Sequence, residues 1–358
     1  MRVAIVHDDL VQWGGAERAL QGLCEIFPDA PIYTSVYDKN NLKLKESFGG
    51  KKIITSFLQN IPAWKKLYKA LLPFYPISFE QFNFDEFDLV ISNTTRFAKA
   101  IITKPSTLHI CYCHTPPRFL WHFSSEFYPK LEFLLSNLRI YDQISSQRVD
   151  FYIAGSENAK KRIKKVYKRE SETLYPFIDI DRFEGIETFD GGYMLVISRL
   201  NKYKRIDLAI NACKKLKLPL KIIGVGPQMH KLQSVSQNES VIFLGNLEED
   251  KLIKLLAGCK AVIVPAEEDF GLVSLEAQAL GKGVVGYKVG GNMETVVDGR
   301  TGILFDSQNE DSLTQAIERF LSLNIDPALC KENANKFSKK RFLNEVRQLV
   351  AKLGYTIN

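Results

Sequence analysis

Two glutamates, Glu268 and Glu276, stand eight residues apart in the stretch AVIVPAEEDFGLVSLEAQALGKGVVGYKVGGNMETVV, residues 261–297. The apolar run Ala261 to Pro265 reads as a buried strand, and Glu267, Glu268, Asp269 and Phe270-Gly271 follow it. From Val273 to Leu280 the spacing is helical, until Gly281 and Gly283 end it. A second apolar run, Val284 to Tyr287, reads as the next strand, and Gly290-Gly291 turns the chain into a helix start at Glu294. One glutamate is thus expected on a loop at the carboxyl end of a parallel strand, the other inside the next helix. Carboxylates placed there hold the hydroxyl groups of a ligand.

Cations stand at a comparable position earlier. In SRLNKYKRIDLAI, Arg199 follows a predicted strand and Lys204 lies at the start of a helix. Two cations converging with a helix N-terminus bind a diphosphate and neutralise the charge that builds on it as it leaves. A surface ion pair with an acid is the plainer reading of either residue. Near the N-terminus, Gly14-Gly15 sits between the first strand and first helix, where backbone N–H groups approach an anion closely. The same pair is also a plain tight turn, and it lacks the GxGxxG dinucleotide pattern. His114 ends a strand and precedes the rigid Pro116-Pro117, so it faces a ligand crevice rather than a core. Gly224-Val225-Gly226-Pro227 is a further glycine turn after a strand.

These residues need two scaffolds. The 358 residues exceed what one core holds, so two domains are expected, 1–177 and 178–336, with their boundary in the polar, proline- and glycine-broken stretch 175–192. The first alternates strands Val3–His7, Ile32–Ser35, Leu89–Ser92, Leu108–Cys113 and Phe151–Ala154 with helices to Ile26, over Lys130–Val149 and over 158–167, the last capped by Ser156. The second alternates strands Tyr193–Ser198, Leu220–Gly224, Val241–Leu244 and Ala261–Pro265 with helices Ile206–Lys215, 228–235 and Glu249–Ala257. This is α/β architecture with parallel sheets covered on both faces, and two such sheets leave a crevice in which a ligand sits. The amphipathic segment Phe337–Leu353 closes the chain.

The composition, 45% hydrophobic and 25% charged, is that of a soluble globular protein. Cys24, Cys111, Cys113, Cys213, Cys259 and Cys330 are scattered through apolar runs without metal-ligand spacing, and read as buried thiols in a reducing compartment. The N-terminus reads as a first strand rather than a signal peptide, and no apolar stretch reaches bilayer-spanning length, so a cytoplasmic location is expected. The net charge of +7 is uneven: residues 43–69 hold seven lysines against one acid, Glu46. Lysines mixed with Trp64, Tyr68, Leu71, Leu72, Phe74 and Tyr75 within 57–75 suit peripheral contact with an anionic membrane, or a core-packing helix with solvated lysines. No nucleic-acid motif accompanies the charge. The run KKRIKKVYKR, 160–169, reads as a solvated helix face.

Taken together, GGAER (14–18), CHTPPR (113–118), SRLNKYKRID (198–207), GVGP (224–227), PAEEDFGLVSLEAQALG (265–281) and the GG-x-x-ETV block (290–296) closely resemble the retaining glycosyltransferases of family 4, and the resemblance spans nearly the whole chain. It implies the GT-B fold, two Rossmann-like doubly wound domains facing across a cleft, with the final helix 337–358 returning to the first domain. It implies that Glu268 holds hydroxyls of the donor sugar and Glu276 the ribose of the nucleotide. Arg199 and Lys204 match the pair on the donor diphosphate, and the backbone of Phe270, Gly271, Leu272 and Val273 adds N–H donors. Gly14 and Gly15 match the turn near phosphate and sugar, His114 the histidine that positions sugar or acceptor, and Gly226-Pro227 the base pocket.

Arg205 stands where the broader family often has glycine. The chain resembles instead the subgroup of bacterial O-antigen and polysaccharide mannosyltransferases, with HTPxRxLW matched by His114–Arg118, Leu120 and Trp121. That resemblance points to GDP-mannose as co-substrate, with no other cofactor. The Arg199 and Lys204 cations remove the need for a metal, and the basic aromatic stretch 57–75 fits a lipid-linked saccharide acceptor at the inner face of the plasma membrane, a soluble acceptor being the alternative. A UDP-sugar donor and a sugar-nucleotide epimerase of the same fold are the alternatives. The expected course is attack of the acceptor hydroxyl from the face the nucleotide leaves, the diphosphate taking its proton. No glycosidase-type carboxylate pair is then needed.

Overall fold

The computed structural model describes residues 1–67, 70–121, 123, 132–236 and 240–355. Tyr68 and Lys69 of the basic stretch, and Lys130 and Leu131 of the expected helix 130–149, lie outside the described residues. The chain divides into two compact units, Met1–Phe177 with Lys340–Asn358, and Ile178–Lys339.

The first unit is a parallel sheet of order β3-β2-β1-β4-β5-β6-β7. Its strands are β1 (Val3–His7), β2 (Ile32–Thr34), β3 (Ile53–Thr55), β4 (Leu89–Thr94), β5 (Leu108–Cys113), β6 (Phe151–Ala154) and β7 (Glu172–Thr173). Successive β1 residues point to opposite faces. Val3 and Ile5 enter one core, with the helix Gly15–Ile26 and with Phe342, Val346, Leu349 and Val350 of the helix Lys339–Lys352. Ala4 and Val6 enter another, with Tyr75 and Phe79 and with Leu135 and Leu138 of the helix Glu132–Ser146. Strands buried on both faces explain the near-continuous apolar runs.

The second unit is a parallel sheet of order β10-β9-β8-β11-β12-β13. Its strands are β8 (Tyr193–Ile197), β9 (Leu220–Ile223), β10 (Val241–Gly245), β11 (Cys259–Val264), β12 (Gly283–Tyr287) and β13 (Gly302–Phe305). Met194 and Val196 face one core, Tyr193 and Leu195 the other. In each sheet the strand order reverses once, between β1 and β4 and between β8 and β11, and the carboxyl ends beside such a reversal form the crevice where doubly wound sheets bind ligands.

Several expectations shift in detail. The helix read as opening at Glu294 is Asn292–Thr295, and β3, β7 and β13 are strands beyond those the sequence predicts. Phe337 stays with the second unit, its ring 5.5 Å from that of Phe270, and only from Lys340 does the chain belong to the first. The basic run 160–169 is not solvated throughout. Arg162 is buried, donates to Thr115 Oγ1 at 2.9 Å and lies over the Phe123 ring.

Candidate active site

In the second unit the predicted residues gather at the β8/β11 reversal. Lys204 closes the 3-10 turn Lys202–Lys204, and its Nζ donates to both carboxylate oxygens of Glu268, at 2.6 and 2.8 Å. The side chains are 12% and 23% exposed, so the pair is shielded yet reachable. The two residues that the sequence assigns to diphosphate and sugar are therefore in contact with each other. The surface-pair reading of Lys204 finds its acid in the other candidate residue.

The loop around Glu268 is held from behind. Gly291 N donates to Glu268 O at 2.8 Å. A Cβ on Gly291 would lie 2.2 Å from the Phe270 backbone, so no other residue fits. Gly271 caps the helix Leu272–Ala279, whose first N–H groups and dipole give this end its affinity for anions. Asn292 Nδ2 donates to Ala266 O and Tyr287 O, both at 2.9 Å, and ties the loop to β12.

Glu276 lies buried on that helix, 3.8 Å from Nη1 of Arg182. Arg182, on the 3-10 turn Ile180–Phe183, also donates through Nε to Glu249 at 2.6 Å. It carries no motif, and sequence reasoning did not single it out. Arg199 is exposed on the loop after β8. That loop is locked to the 224–227 turn, with Leu200 N donating to Val225 O at 3.0 Å and Gln228 N to Leu200 O at 2.9 Å. A Cβ on Gly226 would come within 2.6 Å of the Leu200 backbone. Gly226 thus has a mechanical task, seating the Arg199 loop, whatever Pro227 touches.

In the first unit the predicted residues lie at the β1/β4 reversal and on β5 beside it. Gly14 is the N-cap of the helix Gly15–Ile26, and Glu17 in its first turn is buried. His7 is buried, its Nε2 3.5 Å from Glu17 Oε1 and its Nδ1 3.1 Å from the Asn93 carbonyl. Burial alone would lower the imidazole pKa; Glu17, with Asp8 and Asp9 behind it, outweighs this and raises it above the ordinary value.

Asn93, opposite His7 in the β1–β4 register, orients His114. Its Nδ2 donates to Ala16 O at 2.8 Å, which fixes which end of the amide faces which neighbour. Oδ1 then lies 2.8 Å from His114 Nε2, so Nε2 carries a proton and donates to Asn93. The ring also stands edge-on to Tyr112, 4.9 Å between centroids. No local pattern marks Asn93. Only strand register brings it beside two histidines.

Asp8 and Asp9 complete the cluster. Asp8 accepts from Thr94 Oγ1, from the Thr95 hydroxyl and from the Thr95, Phe97 and Ala98 N–H groups, at 2.6–3.2 Å. Burial would raise its pKa, but Arg96, His7 and those N–H donors bring it below the usual value. Asp9 pairs with Arg96 Nη2 at 2.7 Å through one oxygen, while the other is buried without a hydrogen-bond partner. Burial dominates there and holds its pKa up.

Residues 178–337 match the family described as glycosyl transferases group 1. Over 403 aligned residues the chain is 23% identical to the alpha-1,3/1,6-mannosyltransferase ALG2 of Mus musculus, covering 98% of this chain and 96% of that one. It is 30% identical over 179 residues to a GDP-mannose-dependent alpha-(1-6)-phosphatidylinositol monomannoside mannosyltransferase of Mycolicibacterium smegmatis, covering 42% of this chain and 47% of that one. Several other relatives match over 35–58% of their own length. Among solved structures, Anabaena HepE in complex with UDP and glucose superposes with a TM-score of 0.71 at 19% identity, covering 97% of this chain and 99% of that chain. The fold is GT-B, and nearly the whole of the second unit is similar to the group 1 glycosyl transferases.

Proposed function

We propose that the whole chain is a retaining hexosyltransferase that moves mannose from GDP-mannose to a lipid-linked saccharide, in glycan assembly of the polysaccharide or O-antigen type. The observation that carries this is the Lys204–Glu268 pair at the β8/β11 reversal of a unit similar to the group 1 glycosyl transferases. The mannosyltransferases among the relatives favour mannose, and one of them is GDP-mannose-dependent by name.

On this reading Glu268 holds hydroxyls of the donor sugar, and Lys204 keeps its carboxylate oriented while facing the diphosphate. Arg199 supplies the second cation, and the N–H groups of residues 270–273 add donors. Glu276, steadied by Arg182, takes the ribose, and Gly226-Pro227 borders the base. Gly14-Gly15 lies along phosphate and sugar, and His114 positions the reacting groups. The acceptor oxygen bonds to the anomeric carbon from the face that the diphosphate leaves. The bond to the diphosphate breaks with its electron pair going to the phosphate oxygen, and the acceptor's proton passes to that phosphate. Rate comes from positioning and from charge neutralised as it develops. The acceptor side lies near the basic aromatic stretch 57–75, in contact with the inner face of the plasma membrane from a cytoplasmic location. Among the described residues no helix is long and apolar enough to cross a membrane.

Thermal unfolding with GDP, UDP and ADP tests the donor. GDP at 100 times its Kd should stabilise the protein by about 2.7 kcal/mol, with smaller shifts for the others. A larger shift with UDP would favour the second reading, a UDP-sugar donor, for which the UDP and glucose in the HepE structure speak. No shift with any of the three would overturn both transferase readings and the GT-B epimerase as well. Transfer that persists in excess chelator is the further expected result.

A further inference from the structure

The helix Glu132–Ser146 has a solvent face that a water-facing helix does not need. Phe133, Ser136, Asn137, Ile140 and Ile144 are its exposed residues, and none is charged. Its charged residues are turned aside into ion pairs: Arg139 with Glu132, and buried Asp142 with Lys99. Beside it runs the helix Tyr75–Glu80, joined to it through Glu80, which accepts from Tyr141 Oη at 2.6 Å. Tyr75, Phe79, Leu135 and Leu138 share one core, so the two helices are a packed pair. This second helix and the turns before it expose Leu67, Phe74 and Ile77. Those three and Phe133, Ile140 and Ile144 are between 43 and 86% exposed.

Six large apolar side chains on adjoining helices exceed the scattered exposure normal for a soluble surface. The charge around them is mixed with a basic excess: Lys65 pairs with Asp38, Lys164 with Glu170 and Arg148 with Glu80. Between Glu46 and Glu80 the sequence holds no acid, and Lys65 and Lys66 are exposed. The helix Glu157–Tyr167, packed against the helix Glu132–Ser146 through the buried Tyr167 Oη–Asp142 bond of 2.9 Å, exposes Lys161, Lys164 and Lys165. Exposed apolar side chains on two packed helices, with an excess of lysines on the neighbouring segments, complement an acyl layer beneath anionic headgroups.

We propose that the helix pair 75–80 and 132–146 is the docking face for an anionic lipid bilayer. It rests on the lipid-linked acceptor proposed above and moves the membrane contact from the stretch 57–75 alone to a two-helix face centred on Ile140 and Ile144. Flotation of the full chain with equimolar phosphatidylcholine–phosphatidylglycerol vesicles, and with phosphatidylcholine alone, tests it. The wild type should bind the anionic vesicles more tightly, and raised salt should weaken that binding. Ile140→Glu with Ile144→Glu should cut partitioning at least about tenfold, since two apolar side chains then no longer enter the bilayer. The variant's melting temperature and its shift with GDP should stay as in the wild type, which separates failure of the docking face from failure of the transferase reading. Unchanged partitioning of the variant overturns the proposal. So does a concentration-dependent dimer that the variant abolishes, without vesicle binding, because the face would then belong to a second copy.

Discussion

The two strand-order reversals carry polar residues of different kinds. At β1/β4 the groups are buried and already satisfied by one another: Asp8 by five donors, His7 by Glu17 and the Asn93 carbonyl, Asn93 by Ala16 and His114. At β8/β11 they are shorter chains of contact at the surface, an exposed Arg199 and a partly exposed Lys204–Glu268 pair. Buried networks paired this closely, with only the second oxygen of Asp9 left over, hold one geometry, because each lost partner leaves an unpaired group in a low dielectric. A partly open ion pair exchanges partners at little cost. The first arrangement suits positioning and the second suits binding a charged ligand.

The sharpest way to break this contrast is Glu268→Ala. Transfer should fall on the order of 100- to 1,000-fold in kcat. Stability should fall by about 1–3 kcal/mol without loss of the fold, because a shielded Lys204 loses its partner. Full activity would remove Glu268 from the reaction. Next is Asn93→Ala, expected to lower kcat about 10- to 100-fold while leaving the donor KM in place, because it releases the His114 ring rather than a donor contact. NMR of the His114 ring nitrogens should show the proton at Nε2 no longer held; an unchanged kcat would reduce Asn93 to packing. The smallest effect concerns pH. His7 has a raised pKa in the fold, so its contribution is present below the ordinary imidazole value of 6.5 and fades as pH rises through the folded value. Fully buried His109 is pushed down by burial to about 3, so stability falls as pH drops below 6.5 and the unfolded chain takes up that proton. Urea unfolding across this range should therefore peak near the ordinary imidazole pKa. His7→Gln should flatten the alkaline side, and an unaltered alkaline slope would show that His7 carries no proton in the fold.

What was legible beforehand follows from locality. Glu268, Lys204 and the glycines of 224–226 and 290–291 declare themselves because strand ends, turns and helix starts have short-range chemical signatures. The main strands were readable because burial on both faces makes them apolar runs. Asn93 and Arg182 were not, since their importance comes from register and from a turn that delivers a side chain to a distant helix. Helix Glu132–Ser146 looked ordinary in sequence, because its unusual property, an uncharged outer face, exists only once the inner face is known. Arg162 was misjudged for the same reason: a basic run says nothing of which member turns inward.

The helix Lys339–Lys352 has a consequence for how the protein comes into being. Its Phe342 and Val346 fill the core that Leu20, Leu23 and Phe177 line, so the first unit is stitched from both ends of the sequence while Ile178–Lys339 is one continuous run. On a ribosome the order of completion is therefore reversed. The later-encoded unit has all its residues first, while the earlier one waits with an open apolar seam until residues 340–355 emerge.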